Sequence, residues 1–342
     1  MSSSNLSTRL LAYSSTKHST RQLNNQLVYS STNKQQMNIA FLISAHTDAR
    51  HLQRLVSALP AEAEFFVHVD AKSDMQQFRV LSADPRVHFT AERHNVMWGS
   101  FGQVRYQMTL LREALRSSRQ FDYFFSISGL DYPLWSNSRI MQHIQQHDGE
   151  EFLFATCLTD CPERARLYQE YRFLNTRPWR YGTLKSKFRV ALRHAVKALG
   201  MRKPLTVKSH CGVYKLYKGG SWWGITRQLA EEALSFYDND RSFTRYFVNA
   251  FGPDETFIHT VAMNGARAEY CTLIPPSDSM TLATLSPLTY IEYGSEIKIF
   301  TENDFDRLVS SGKMFCRKTV SGTSDALISM IDRHRTQEEH TL

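Results

Sequence analysis

Apolar positions along this chain alternate between two spacings, and the alternation lays out a fold before any chemistry is considered. NIAFLISAH (Asn38 to His46) is a compact apolar run closing on polar residues, the pattern of a buried strand. DARHLQRLVSAL follows with Leu52, Leu55, Val56 and Leu59 at helical spacing. AEFFVHVDAKS reads as a second strand and RVHFTAE as a short third. QVRYQMTLLREALRSS puts Val104, Met108, Leu111 and Leu115 on one helical face. DYFFSISGLDYPL is a fourth strand that breaks at Gly129, and EEFLFATCL a fifth. Strands alternating with helices predict an α/β fold with a largely parallel sheet. Polar clusters follow the strands at His46 to Asp48, Asp70 to Ser73 and Gly129 to Asp131, where open α/β sheets bind ligands.

The second half continues the alternation. GGSWWGITRQLAEEALSFY predicts a turn, a short strand and a helix from Arg227. PDETFIHTVAMN predicts a helix, AEYCTLI a strand, and TENDFDRLVSSG a helix with Thr301 as cap. SDALISMIDRHRTQEE closes the chain as an amphipathic helix. Without an internal repeat or a clear linker, residues 37–342 read as one domain. The first 36 residues are Ser-, Thr-, Asn- and Gln-rich, hold no Asp or Glu, and lack the apolar centre of a secretory signal. They read as a disordered leader, an extension from a misassigned start codon, or a transit peptide of weak helical moment.

Composition narrows the class. At 42% hydrophobic and 12% aromatic, the 342-residue chain can bury a core, and a charge of +8 favours an anionic partner. The five cysteines (157, 161, 211, 271 and 316) lack paired spacing, which argues against a disulfide framework and fits a reducing compartment. No apolar run reaches the ~18 residues of a membrane span. From Tyr171 to Ala230 there are fourteen Lys and Arg residues and no acid. Within that tract, KSKFRVALRHAVKALGMRK has Phe188, Leu192, Val196 and Leu199 on one face. It is either a surface helix packed on the sheet, an interfacial helix on anionic lipid, or a cradle for an acidic acceptor.

GxxxxGK[ST], GxGxxG and GxSxG are missing, which removes support for P-loop, Rossmann and nucleophile-elbow chemistry. The basic tract fits no nucleic-acid module, so nucleic-acid binding is only a distant alternative. Two carboxylates, Asp254 and Glu255, stand behind Pro253, where acidic residues suit a helix entry. The DND of Asp238 to Asp240 follows a helix in a polar loop and not a strand end, which counts against a metal site there.

HVDAKS, VMWGSFGQVR, FFSISGLDYPL, GGSWWGITR, GPDETF and MFCRK occur in this order, and together they resemble the core-2/I-branching glycosyltransferases, a family that includes β-1,6-N-acetylglucosaminyltransferases and peptide xylosyltransferases. The resemblance runs from about Ile39 to about Thr319. It implies a GT-A-like fold and an inverting transfer from a UDP-sugar to a glycan hydroxyl, with no metal or other cofactor. It places the general base at Glu255 and the diphosphate cations at Lys318 and Arg317, with Lys298 as a further match. Gly252 stands where the family commonly has serine, and Cys316 where it has alanine. His46, Asp70 and Ser100 lie in matched motifs and would line or support the uridine pocket. Asp131 would either bond the donor sugar or shape its turn. Either Trp222 or Trp223 would stack on a sugar, or the pair is core. N-acetylglucosamine is the expected donor, with xylose the alternative. The eukaryotic members carry anchors and disulfides, so this chain is expected to be cytoplasmic, peripheral on an anionic inner membrane face, acting on a glycan or lipid-linked glycan; a Golgi-lumen location is not expected.

Overall fold

The computed structural model describes residues 37–161, 164–173, 182–276 and 281–341, so the expected leader lies outside the described residues. Met37–Leu342 forms one unit. In chain order the elements begin β1 (Ile39–Ala45), α1 (Ala49–Ala58), β2 (Glu64–Val69), β3 (Val87–Phe89), α2 (Gly102–Arg116), β4 (Tyr123–Ser128), β5 (Asp131–Pro133) and α3 (Asn137–Gln146). They continue with β6 (Phe154–Cys157), α4 (Leu184–Ala198), β7 (Thr206–Ser209), β8 (Gly212–Lys215), β9 (Tyr217–Gly219), β10 (Gly224–Thr226), α5 (Arg227–Asn239), α6 (Arg241–Val248) and α7 (Phe257–Asn264). The chain ends through β11 (Thr272–Leu273), β12 (Thr289–Ile291), α8 (Phe305–Val309), β13 (Phe315–Arg317) and α9 (Asp325–Glu339).

The central sheet runs β10-β4-β1-β2-β3, parallel except for β10 at its edge. Side chains alternate across a strand, so a continuously apolar strand feeds two layers. Ile39, Phe41 and Ile43 of β1 enter one core with α1, α3 and α9, whereas Ala40 and Leu42 enter a second core with α2, α5, α6 and α7. The α2 face is buried at Val104, Met108 and Leu111, with Leu115 packed at its margin.

Three outcomes differ from the sequence pattern. EEFLFATCL does not extend the central sheet; β6 joins a separate sheet with β9 and β11. Periodicity identifies a strand but not its neighbours. PDETFIHTVAMN is not one helix: a 3-10 turn at Pro253–Glu255 precedes α7, with Thr256 between them. TENDFDRLVSSG likewise divides into a 3-10 turn at Glu302–Asp304 and α8, although Thr301 does form a capping box with Asp304. Among the described residues, no helix is long and apolar enough to cross a membrane.

Candidate active site

Glu255 owes its position to a tight turn. Gly252 takes a left-handed conformation (φ 52°), which L side chains adopt only with strain, and Pro253 then presets the 3-10 turn carrying both carboxylates. A serine at 252 would have to accept that backbone. Apolar Phe257, Ile258, Val261 and Ala262 anchor α7 in the second core and fix the turn from behind.

The two acids do different work. Asp254 is buried, and its Oδ2 accepts from Ser221 Oγ at 2.6 Å and Gln103 Nε2 at 2.9 Å. Its side chain makes no cap; it ties the turn to α2 and to the loop before β10. Burial, and then the neighbouring Glu255 carboxylate, push the Asp254 carboxyl up to about 7. Glu255 is only partly covered, with a side chain 19% exposed. Lys218 Nζ lies 2.7 Å from Glu255 Oε2, and the Tyr168 hydroxyl donates to the same oxygen at 3.2 Å. One oxygen is thus held, and the other, Oε1, has no hydrogen-bond partner among the described residues.

Arg317 and Lys318 form a basic pair where β13 ends. Arg317 leaves the end of β13, which pairs with β5 so that Arg317 and Asp131 are register partners. Arg317 Nη1 donates to Asp131 Oδ1 at 3.1 Å, and Ser128 N donates to Oδ2 at 2.8 Å. The Trp222 ring lies 5.3 Å from the guanidinium carbon. Lys318 is half-buried, and among the described residues its ammonium has no hydrogen bond or ion pair. His46 stands exposed at the end of β1. Local burial and then Arg317 hold its imidazole below the usual histidine value, with Lys72 and Lys318 adding to this and Asp70 opposing it. Tyr293 is half exposed, and its hydroxyl is pushed up to about 12 by burial and then by Glu255, with Arg317 opposing. Tyr293 thus lies within electrostatic reach of both Glu255 and Arg317.

The remaining sequence candidates have partners of their own. Trp223 is fully buried in the second core and does not meet a sugar; of the pair, Trp222 reaches the site. Asp131 is fully buried, so it serves Arg317 and the turn and presents nothing to a donor sugar. Ser100 is also buried: its Oγ donates to Met97 O at 2.7 Å and accepts from Gly102 N, which shapes the entry to α2. The Lys298 ammonium pairs with Asp304 at 2.6 Å and lies 3.7 Å from Glu292, so its charge is already compensated. Its backbone carbonyl instead accepts from Lys318 N at 3.3 Å. Asp70 is buried and accepts from Lys72 N and Nζ, each at 2.9 Å. In the DND stretch, Asp238 pairs with Arg112, while Asp240 caps α6 and accepts from His210.

Lys218, Tyr168, Tyr293 and Lys72 escaped the sequence reading. Lys218 has a local sign, since it immediately precedes the Gly219–Gly220 turn inside the acid-free tract. Tyr168 stands 87 residues from Glu255 and has no such sign.

The model of the Core-2/I-Branching enzyme family matches residues 39–284. Xylosyltransferase sqv-6 of Caenorhabditis briggsae is 21% identical over 241 residues, covering 68% of this chain and 27% of that protein. Xylosyltransferase 2 of Homo sapiens is 23% identical over 317 residues, covering 86% of this chain and 33% of that protein. The chain therefore spans about a quarter to a third of the length of these curated relatives. Among solved structures, S. aureus TarS 1-349 in complex with UDP-GlcNAc is 10% identical with a TM-score of 0.33, covering 88% of this chain and 71% of that one. That likeness is too slight to argue from. The family match spans well over half of the chain and includes the Glu255 turn, its lysine partner and the β1, β2 and β4 strand ends: the chain belongs to the Core-2/I-Branching enzyme family.

Proposed function

We propose that this chain is a GT-A-type inverting glycosyltransferase that moves a sugar from a UDP-sugar to a hydroxyl of a glycan or glycoconjugate without a metal. The observation that carries this reading is the half-free Glu255 carboxylate, held on one oxygen by Lys218 and Tyr168, on a turn inside the stretch that matches the family. Glu255 Oε1 takes the proton from the acceptor hydroxyl. The acceptor oxygen then attacks the anomeric carbon on the face opposite the diphosphate, in one displacement that inverts that centre. The bond from that carbon to the β-phosphate oxygen breaks, and its electron pair leaves on UDP. Arg317 and Lys318 meet the charge that develops there, doing the work for which other sites use a divalent ion. The proton ends on Glu255 and passes to solvent through the exposed edge. Lys218 holds the carboxylate in place before transfer.

Xylose and N-acetylglucosamine are the two donors to test. The relatives named xylosyltransferases bring xylose level with N-acetylglucosamine. UDP release from UDP-xylose and UDP-N-acetylglucosamine in EDTA, compared between wild type and Glu255→Gln, tests base, donor and metal independence together. Hydrolysis of one donor without metal, reduced about 100-fold or more in the variant at unchanged UDP affinity, is expected. Release that requires manganese, or that survives Glu255→Gln, overturns the mechanism.

A further inference from the structure

Helix α4 leaves a stripe of its apolar surface uncovered. Its apolar stripe, Leu184, Phe188, Ala191, Ala195 and Leu199, is exposed throughout, with Leu184 at 85%, Phe188 at 62% and Leu199 at 76%. Only Ser186 of the helix is buried. The inward side is mixed: Arg193, Val196 and Lys197 help to line a cavity of about 310 Å³, Leu192 is half-buried, and Glu170 accepts from Arg172 at 2.9 Å and lies 3.8 Å from Lys197. Of the apolar face expected from the sequence, Phe188 and Leu199 are exposed while Leu192 and Val196 are half-buried, so that face is covered only in part.

We infer that α4 seats this protein on an anionic lipid surface, with its apolar stripe in the headgroup boundary and its flanking lysines on the phosphates. Charge decides the occupant. Lys185 and Lys187 flank the stripe and are exposed, and neither the helix nor the surrounding tract from Tyr171 to Ala230 contains an acid. A second copy would bring the same basic face and a chain of net charge +8, which repels. An anionic bilayer supplies both the apolar medium and the opposite charge. The inference rests on this face alone and stands or falls separately from the role of Glu255.

The test is cosedimentation of the wild-type chain with vesicles of phosphatidylcholine alone and of equimolar phosphatidylcholine and phosphatidylglycerol, at low and high salt. Binding to the anionic vesicles only, weakened by salt, is expected. Replacing the apolar anchors (Leu184→Gln, Phe188→Gln and Leu199→Gln together) should lower the partition coefficient about 100-fold, from the loss of three inserted side chains. Lys185→Gln with Lys187→Gln should lower it about tenfold. UDP release in solution should be unchanged in both variants. Absence of wild-type binding to the anionic vesicles at low salt overturns the inference. So does a wild-type dimer that the triple variant dissociates, since the stripe would then be covered by a second copy.

Discussion

Replacing Arg317 with methionine separates what the residue does for the fold from what it does for the candidate site. Asp131 has no exposed surface, and Arg317 is 13% exposed, so their pair is close to fully desolvated. Removing the guanidinium leaves a buried carboxylate with Ser128 N at 2.8 Å as a remaining donor. Breaking a buried pair costs about 3–5 kcal/mol; the surviving backbone donor and the nearby Trp222 put this case near 3 kcal/mol. For a domain of this size that is a loss of about 6 °C in Tm. Burial already raises Asp131 above its ordinary value of 3.8, with Arg317 opposing the rise. Arg317→Met removes the opposition and raises it further. A raised carboxyl stabilises the fold while protonated and loses that contribution as pH rises through its folded value. The destabilisation should therefore be smaller at pH 5 than at pH 8. Urea unfolding followed by tryptophan fluorescence at both values measures this, and Asp131→Asn with Arg317→Met should restore most of the loss. A penalty below about 1 kcal/mol at pH 8, or one equal at both pH values, refutes the reasoning.

Two further outcomes follow from the acidic turn. Lys218→Met removes a charge-assisted contact worth about 1.5–3 kcal/mol to the Glu255 carboxylate. Loosening the carboxylate should lower kcat about 10- to 100-fold with donor KM nearly unchanged, as steady-state kinetics would show. Asp254 is raised from 3.8 to about 7, so the native state keeps a proton that the unfolded chain has lost. Wild-type stability should decline as pH rises from about 4 through about 7, and Asp254→Asn should flatten that part of a denaturation series.

The central sheet was legible because each strand is a short apolar run bounded by polar residues, and α2 because its face repeats at helical spacing. The Glu255 turn lies within the stretch that the family model matches, whereas the Arg317–Lys318 pair lies beyond its end at residue 284. Pairings across long separations were not: Lys218 meets Glu255 over 37 residues and Tyr168 over 87, and no local pattern encodes either. Periodicity also states that α4 has an apolar face without stating which way it turns. Trp222 and Trp223 show the same limit at its smallest scale, since adjacent positions on an extended chain point to opposite sides and only the surroundings decide which side is core.

The two cores divided by the central sheet also divide the candidate site. Glu255 and Tyr168 are mounted on the core built from α2, α5, α6 and α7, whereas Arg317 follows Phe315 and Cys316 out of the other. On the mechanism proposed above, proton removal and leaving-group stabilisation would have separate foundations. Variation confined to one could re-aim the acceptor side while the diphosphate side keeps its footing. A lineage with this arrangement would be free to change what it decorates without relearning how to hold its donor.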